Sequence, residues 1–495
     1  MKSTCGRTLG ALLSIVVGIA PVIAAPQAGS ADPVAQAQRF RDTGNFAAAA
    51  DLLRNQLAQK PDNGEIARLL AQTLYWLKDI PAARAVYEKA LVQHPEDTTL
   101  RLQYGRMLAE TGERERAREL LKPLLSVSAT KAEAETLLGE LSYWDGDLST
   151  ARRQFETALL ADPKQEEAKS KLAEIVAGTA PWIRVSSVGW HDNQPLDRLV
   201  LGLESGWFVT PLTKLTASAQ PTEYWTDSSH GVAVAEVALS NYKPAARLET
   251  ELALGAVRHV VGVSSWDWTG RGRVGFRLPK HLTVSARLER APYFATRASL
   301  DTSVMVQTMA GVLHWSDDAR GWLGEAAYQR QRYPDNNAIR TSYGWLLAPL
   351  IHRTGVEVQA GYSLAASNAD ALRYVLAQPN QTFNLVGEYA PYYTPSHLVT
   401  HSALAGFTLG NAKRSQFRFD ASYGFRSTDD APFFSVSGGK AVLGTFLRKS
   451  SPWDLRTSIK LPLRPGLTLE PTAEVGRTIF YSWATAGLQV TYRGR

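Results

Sequence analysis

The chain has 495 residues, enough for two or more cores, and carries 54 Lys+Arg against 47 Asp+Glu, a net charge of +7. The excess is one-sided: residues 1–180 hold 22 basic and 23 acidic side chains, net −1, which leaves 54 − 22 = 32 and 47 − 23 = 24 for residues 181–495, net +8. The one cysteine, Cys5, excludes disulfides, thiolate catalysis and zinc-thiolate sites from the rest of the chain, and the basic residues form no stripe of the kind nucleic acid requires.

The N-terminus reads as an export signal. Lys2 and Arg7 flank the start of an apolar run, Leu9 to Ile23, and Ala24 and Ala25 follow it, so residues 1–25 are expected to be a cleaved signal peptide. Cys5 lies ahead of the apolar run, where a lipoprotein cysteine could not be. No later stretch approaches the about 18 apolar residues of a membrane-spanning helix, so a membrane location would require a barrel.

From residue 30 the chain repeats itself. Pro61 and Pro95 are 95 − 61 = 34 apart, and further steps of the same length reach Ala129 and Pro163. Ala49, Ala83, Ala117 and Ala151 keep the same spacing, as do Leu53, Tyr87, Leu121 and Phe155, then Leu57, Leu91, Leu125 and Leu159. Gly105 and Gly139 match in the last two units. This pattern resembles the tetratricopeptide repeat, whose small residues let two helices pack closely and whose proline follows the second helix. The likeness implies four units, 30–63, 64–97, 98–131 and 132–165, closed by the amphipathic segment Glu166 to Ala177 and a linker to residue 180. Such an array presents a groove for peptides or protein surfaces, or acts as a spacer. Tyr75, Trp76, Tyr143 and Trp144 recur in the first helices and are expected to belong to the core.

After Pro181 the period changes to two. Leu248, Thr250, Leu252 and Leu254 oppose Glu249 and Glu251; in Ser415 to Ser427, Phe417, Phe419, Tyr423 and Phe425 oppose Arg418, Asp420 and Arg426. Turn signals divide residues 182–492 into sixteen candidate strands, fourteen and eighteen being the neighbouring even counts. Every second connection is tight, as at Thr210-Pro211, Lys243-Pro244 and Arg464-Pro465-Gly466. The others are longer, with two large loops at Ala369 to Pro395 and Asp429 to Pro452. Short turns on one rim and long loops on the other are the mark of an outer-membrane barrel.

Orientation follows from cost. A charge facing lipid at mid-depth costs about 2–4 kcal/mol, so the charged faces are expected to line a lumen. The candidate lumen-lining residues are Glu249, Glu251, Arg271, Arg273, Arg277, Arg287, Glu289, Glu325, Arg418, Asp420, Arg426, Arg456, Glu470 and Glu474, with Arg247 and Arg340 assigned inward by the same alternation. Cross-strand ion pairing is the plainer role for any one of them; Arg271, Arg273 and Arg277 form the densest basic run and would favour an anionic chain. Trp190, Trp207, Trp225, Trp315, Trp322 and Trp345 fall near strand ends or on the apolar face, as an interfacial belt would place them.

A multidomain chain, an all-α tetratricopeptide solenoid followed by a sixteen-stranded antiparallel transmembrane barrel over 181–495, resembles the outer-membrane subunits of exopolysaccharide secretion: the cellulose and poly-N-acetylglucosamine exporters and the YaiO-type barrels. Arg290-Ala291-Pro292-Tyr293 and Tyr392-Tyr393-Thr394-Pro395 are similar to segments of that family. The resemblance implies a porin exporting a polysaccharide across the outer membrane, with the repeats in the periplasm docking a periplasmic or synthase protein. Exporters of this kind carry more repeats, so four make a short scaffold. An outer-membrane receptor, adhesion or envelope-assembly protein without glycan transport is the alternative.

No catalytic constellation emerges. The histidines lack an HExxH spacing, His401 and Ser402 alternate to opposite faces of one strand, and there is no GxSxG or GxxxxGK. Glu249 and Glu251 have a spacing that any polar-lined strand produces. The reading is therefore of a non-enzyme without cofactor or metal.

Overall fold

The computed structural model describes residues 32–494 apart from 195, 227–228, 261–264, 280, 318, 378–384 and 412–413. The signal-peptide reading, with Cys5, lies outside the described residues. The chain divides into two compact units, residues 1–130 and 131–495.

The first unit holds α1 (Pro33–Asp42), α2 (Phe46–Gln59), α3 (Gly64–Trp76), α4 (Ile80–Gln93), α5 (Thr98–Glu110) and α6 (Arg114–Leu121). The turn inside each helix pair needs a left-handed residue, supplied by Gly44, Lys78 and Gly112 at φ 75°, 64° and 91°. The next residue caps the second helix: Asn45 and Asp79 accept from the N–H of Ala48 and Ala82. Glu113, one methylene longer, makes no such bond. Ala49, Ala83 and Ala117 are fully buried, and Gly105 lies against Leu121 so closely that a Cβ there would come within 2.8 Å of its side chain.

In the second unit, α8 (Leu148–Ala161) and α9 (Glu166–Thr179) follow α7 (Ser128–Trp144), which crosses the division. Gly146 and Asp147 repeat the turn and cap, and Ala151, Phe155 and Ala158 pack on Ala168 and Ile175 of α9.

The barrel begins directly after α9. Its strands are β1 (Trp182–Asp192), β2 (Asp197–Thr210), β3 (Thr213–Trp225), β4 (Ser229–Lys243), β5 (Leu248–Val260), β6 (Ser265–Leu278), β7 (Leu282–Pro292), β8 (Met305–Asp317), β9 (Trp322–Arg332), β10 (Ala338–Arg353) and β11 (Val356–Ala369). After the short β12 (Tyr374–Leu376) and β13 (Gly387–Tyr389) come β14 (Leu398–Asn411), β15 (Ser415–Ser437), β16 (Lys440–Ser450), β17 (Trp453–Arg464), β18 (Leu467–Arg477) and β19 (Ser482–Arg493). Seventeen strands share one sheet, β16 pairs β15 beyond the rim, and the remaining sixteen close through β1 on β19, Val185 opposite Val490. The count and the antiparallel order are those that the alternation predicts.

The expected loop Asp429 to Pro452 is instead a hairpin. β15 runs on to Ser437 and returns as β16 because Gly438 and Gly439, at φ 59° and 75°, supply the two left-handed residues of a tight turn. On the outer face Leu252 and Leu254 are 59% and 61% exposed, whereas the Glu249 and Glu251 side chains opposite them are 25% and 26% exposed. The exposed apolar surface is what lipid covers, and the architecture is that of an outer-membrane barrel.

Candidate functional site

The inner face is identified by reach. Glu236 of β4 accepts from Thr269 of β6 at 2.9 Å and lies 3.8 Å from Arg271, across the intervening β5. Only the concave side of a curved sheet brings such alternate strands together. Register carries that assignment around the barrel: Glu251 stands opposite Arg273, Arg271 opposite Glu289, and Arg273 opposite Arg287. Glu325 shares this face, taking the Tyr343 hydroxyl at 2.9 Å and lying 3.5 Å from His314. Across the barrel Asp420 stands opposite Arg456, Arg456 opposite Glu474, and Glu470 opposite Gln489.

Most of these charges are paired. Arg271 Nε lies 2.8 Å from Glu251, Arg277 pairs with Glu249, Arg418 with Asp420 at 2.7 Å and Arg456 with Glu474 at 3.1 Å. Arg287 is 3.6 Å from Glu289. The basic run on β6 is thus matched by carboxylates of β4, β5 and β7, and the local positive excess suggested by its sequence is offset.

Three assignments by alternation are corrected. A bulge between His401 and Ser402 shifts the register of β14 on β15, so Arg426 stands opposite His401, whose ring meets Tyr362 and Phe425 on the exposed side, away from Arg418 and Asp420. Arg340 stands opposite Arg330, on the face away from Gln329 and Thr341, and pairs with Asp370 of the loop rim. Arg247 is a turn residue at φ 49°. Among the tryptophans, Trp190 and Trp345 have inward parity, opposite Thr485 and Glu325, while Trp207 and Trp225 are exposed on the outer face.

The short-turn rim carries the end of α9 and the turn before α8. Arg493 Nη1 donates to Gly178 O at 2.8 Å and Gly494 N–H to Pro181 O at 2.7 Å, tying the last strand to the end of α9. Gly146, in the turn before α8, meets the Tyr242 ring, over which Arg277 lies at 4.6 Å. A cavity of about 500 Å³ opens here between Leu148, Phe208, Asn241, Glu249 and Arg277, so the inner polar face begins beside the helical turn.

At the long-loop rim, loop side chains enter the strand ring. Leu300, on the short helix α10 (Arg297–Thr302), packs with Leu196 on Tyr224, Val232 and Val257, the last fully buried. Tyr392 packs with Val304, Val306, Tyr333 and Ile339. Thr296 joins the two groups by donating to Pro391 O at 2.6 Å. Asp335 fastens the second group, accepting from the Tyr392 hydroxyl at 2.8 Å and pairing with Arg373. Burial pushes the Asp335 carboxyl up, yet the bonds from Arg373 and Tyr392 outweigh it and hold it below its ordinary value. The sequence shows the long loop Ala369 to Pro395 but carries no signal that Tyr392 turns into the strand ring.

In the first unit, Trp76 is not core as expected: it is 40% exposed, with Phe46 beside it and the Arg41 guanidinium 4.6 Å above its ring. Arg41 is also held by Gln38 and Gln72. Tyr75 donates to Glu110, and burial with that bond pushes its hydroxyl up to about 12.

Residues 40–98 and 78–141 match the family model of the tetratricopeptide repeat. A stretch of 115 residues is 30% identical to cellulose synthase operon protein C of Komagataeibacter xylinus, spanning 20% of this chain and 9% of the length of that protein. Among solved structures, a bacterial polysaccharide outer membrane secretin aligns over 64% of this chain and 99% of its own, with a TM-score of 0.47 and 10% identity. PilF of Pseudomonas aeruginosa aligns over 30% of this chain and 67% of its own, with a TM-score of 0.28 and 20% identity.

Proposed function

We propose that the chain is an outer-membrane channel exporting a polysaccharide, and that its tetratricopeptide repeats form a periplasmic platform for a protein partner. The observation that carries this reading is the inner face, where paired charges alternate with hydroxyl and amide groups such as Ser218, Thr308, Gln329 and Gln489. Such a surface exchanges many weak hydrogen bonds with a hydroxyl-rich chain and offers no single deep trap, as passage through a pore requires. The likeness of one segment to a protein named for a cellulose synthase operon supports a glycan as the cargo. In this reading residues 1–25 direct export, 30–165 form the repeats, and 166–180 lead into the barrel of 181–495. No catalytic step is assigned.

Deletion of the gene followed by assay of surface and periplasmic glycan tests the proposal. Loss at the surface with accumulation behind the outer membrane is the expected outcome, and unchanged export would overturn it. A receptor, adhesion or envelope-assembly role draws on the β15–β16 hairpin, where Val436, Phe446 and Leu447 are exposed. Unchanged glycan with lost attachment or assembly in the same strain would select that role.

A further inference from the structure

The aromatic side chains at the long-loop rim form a file. Trp483, Tyr481, Phe480, Tyr393, Tyr389 and Tyr374 follow one another with ring centroids 5.8, 5.0, 4.6, 4.7 and 5.1 Å apart. At one end Trp483 stacks on the inward Trp190, 5.8 Å away with an interplanar angle of 7°. At the other, Tyr374 stacks on Phe434 of the protruding hairpin at 5.6 Å. The rings thus connect the inner face of β1 with the outermost element of the barrel.

The file borders a cavity of about 450 Å³, walled by Tyr374, Tyr389 and Phe480 together with Gln194, Thr296 and Arg448. That volume falls within the range of small-ligand sites, about 300–1,000 Å³. Packing of a static plug would explain rings alone. It does not explain three buried polar atoms on or beside the file: Gln194 Nε2, Trp483 Nε1 and the Tyr393 hydroxyl have no hydrogen-bond partner among the described residues. An unmet buried donor costs about 1–3 kcal/mol, and three such donors, one in the cavity wall and two on the rings of the file, mark a surface arranged for a partner that brings acceptors.

A pyranose has both halves of the required chemistry. Its C–H face stacks on an aromatic ring, and its hydroxyls accept from amide, indole and phenol donors. Charge selects further: the Arg448 guanidinium is engaged by the buried Asp429 carboxylate at 3.0 Å from Nε, and the other charged group at the cavity, Glu388, is acidic. Among the described residues that wall the cavity no cation without a carboxylate partner is offered to a uronic acid; Arg198, 4.4 Å over the Trp190 ring at the end of the file, is not one of those walls. We propose that this file is a binding track for neutral pyranose residues at the long-loop mouth. The source of the sugar rests on the export reading; the site itself is tested by binding.

The full-length protein, in a detergent without a sugar headgroup, is titrated calorimetrically with cellohexaose, with the hexamer of N-acetylglucosamine and with hexagalacturonate. At least one neutral hexasaccharide is expected to bind, with the acidic one about tenfold weaker or more. Tyr389→Ala combined with Phe480→Ala is expected to weaken the neutral probe at least about tenfold. Trp483→Phe, which keeps an aromatic ring but deletes the Nε1 donor and narrows the stacking face, should weaken it severalfold in a protein that melts as the parent does, and this variant decides the matter if the double substitution impairs folding. Failure of both neutral probes to bind, tighter binding of the acidic probe, or parental affinity in the variants would overturn the track. Binding as expected with unchanged glycan export on gene deletion would remove the export reading and leave the track; lost export with no probe binding would do the reverse.

Discussion

Arg271 Nε lies 2.8 Å from Oε1 of Glu251 on adjacent strands of the inner face, and Glu236 of β4 approaches the same guanidinium at 3.8 Å across β5. Arg271→Gln leaves two carboxylates facing the lumen without their cation. Single channels of this variant should shift their reversal potential toward cations in a salt gradient, and adding Glu251→Gln should bring it most of the way back. Both partners are about a quarter to a third exposed, so the pair is worth up to about 1 kcal/mol, and melting should fall only slightly. An unchanged reversal potential would mean that these groups do not face the conducting path.

Helix pairing in the repeats depends on backbone contact. A Cβ at Gly139 would stand 2.6 Å from the Phe155 ring, so Gly139→Val should cost about 1–3 kcal/mol through overpacking. Lys78 occupies the left-handed position that Gly44, Gly112 and Gly146 fill elsewhere. Lys78→Gly relieves that strain and gives back part of it as unfolded-chain entropy, for a net gain of about 0.5 kcal/mol. Thermal melting followed by the helical circular dichroism signal measures both.

The loop anchor is acid-sensitive. Hydrogen bonds from Arg373 and Tyr392 outweigh burial and hold the Asp335 carboxyl below its ordinary value. The carboxylate therefore contributes stability that is fully present above that unfolded value and is lost as pH falls through the lower folded one. Protease cleavage within residues 369–397 should accelerate below about pH 4 while the barrel stays intact. Asp335→Asn should remove the pH step and leave the segment cleavable at neutral pH.

The bulge between His401 and Ser402 makes opposite statements about two arginines of one strand. Cysteine at Arg418 should react with a water-soluble thiol reagent in the reconstituted protein, and a fluorophore there should resist quenching by spin-labelled lipid. A fluorophore at Arg426, opposite His401 on the exposed side, should be quenched more. Equal behaviour at the two positions would restore the unbroken alternation.

Sequence alone determined the repeat helices and the sixteen barrel strands. The 34-residue spacing gave the helix pairs because turn, cap and small-residue contacts are local, and period-two alternation gave sixteen barrel strands because each strand separates lipid from water by itself. It located the polar face of Ser415 to Ser427 for Arg418 and Asp420. Arg426 escaped because a single extra residue in one strand inverts every later side chain, and only the partner's register reveals it. Pairing was equally hidden: Arg271, Arg273 and Arg277 read as a basic run until β4, β5 and β7 brought their glutamates alongside. The packing of Leu300 and Tyr392 into the strand ring was decided by tertiary structure throughout, since Tyr392 reaches Asp335 across 57 residues and Trp190 reaches Trp483 only when the barrel closes. Contacts between distant segments leave no periodic trace in the chain, because neither partner's neighbours need to repeat.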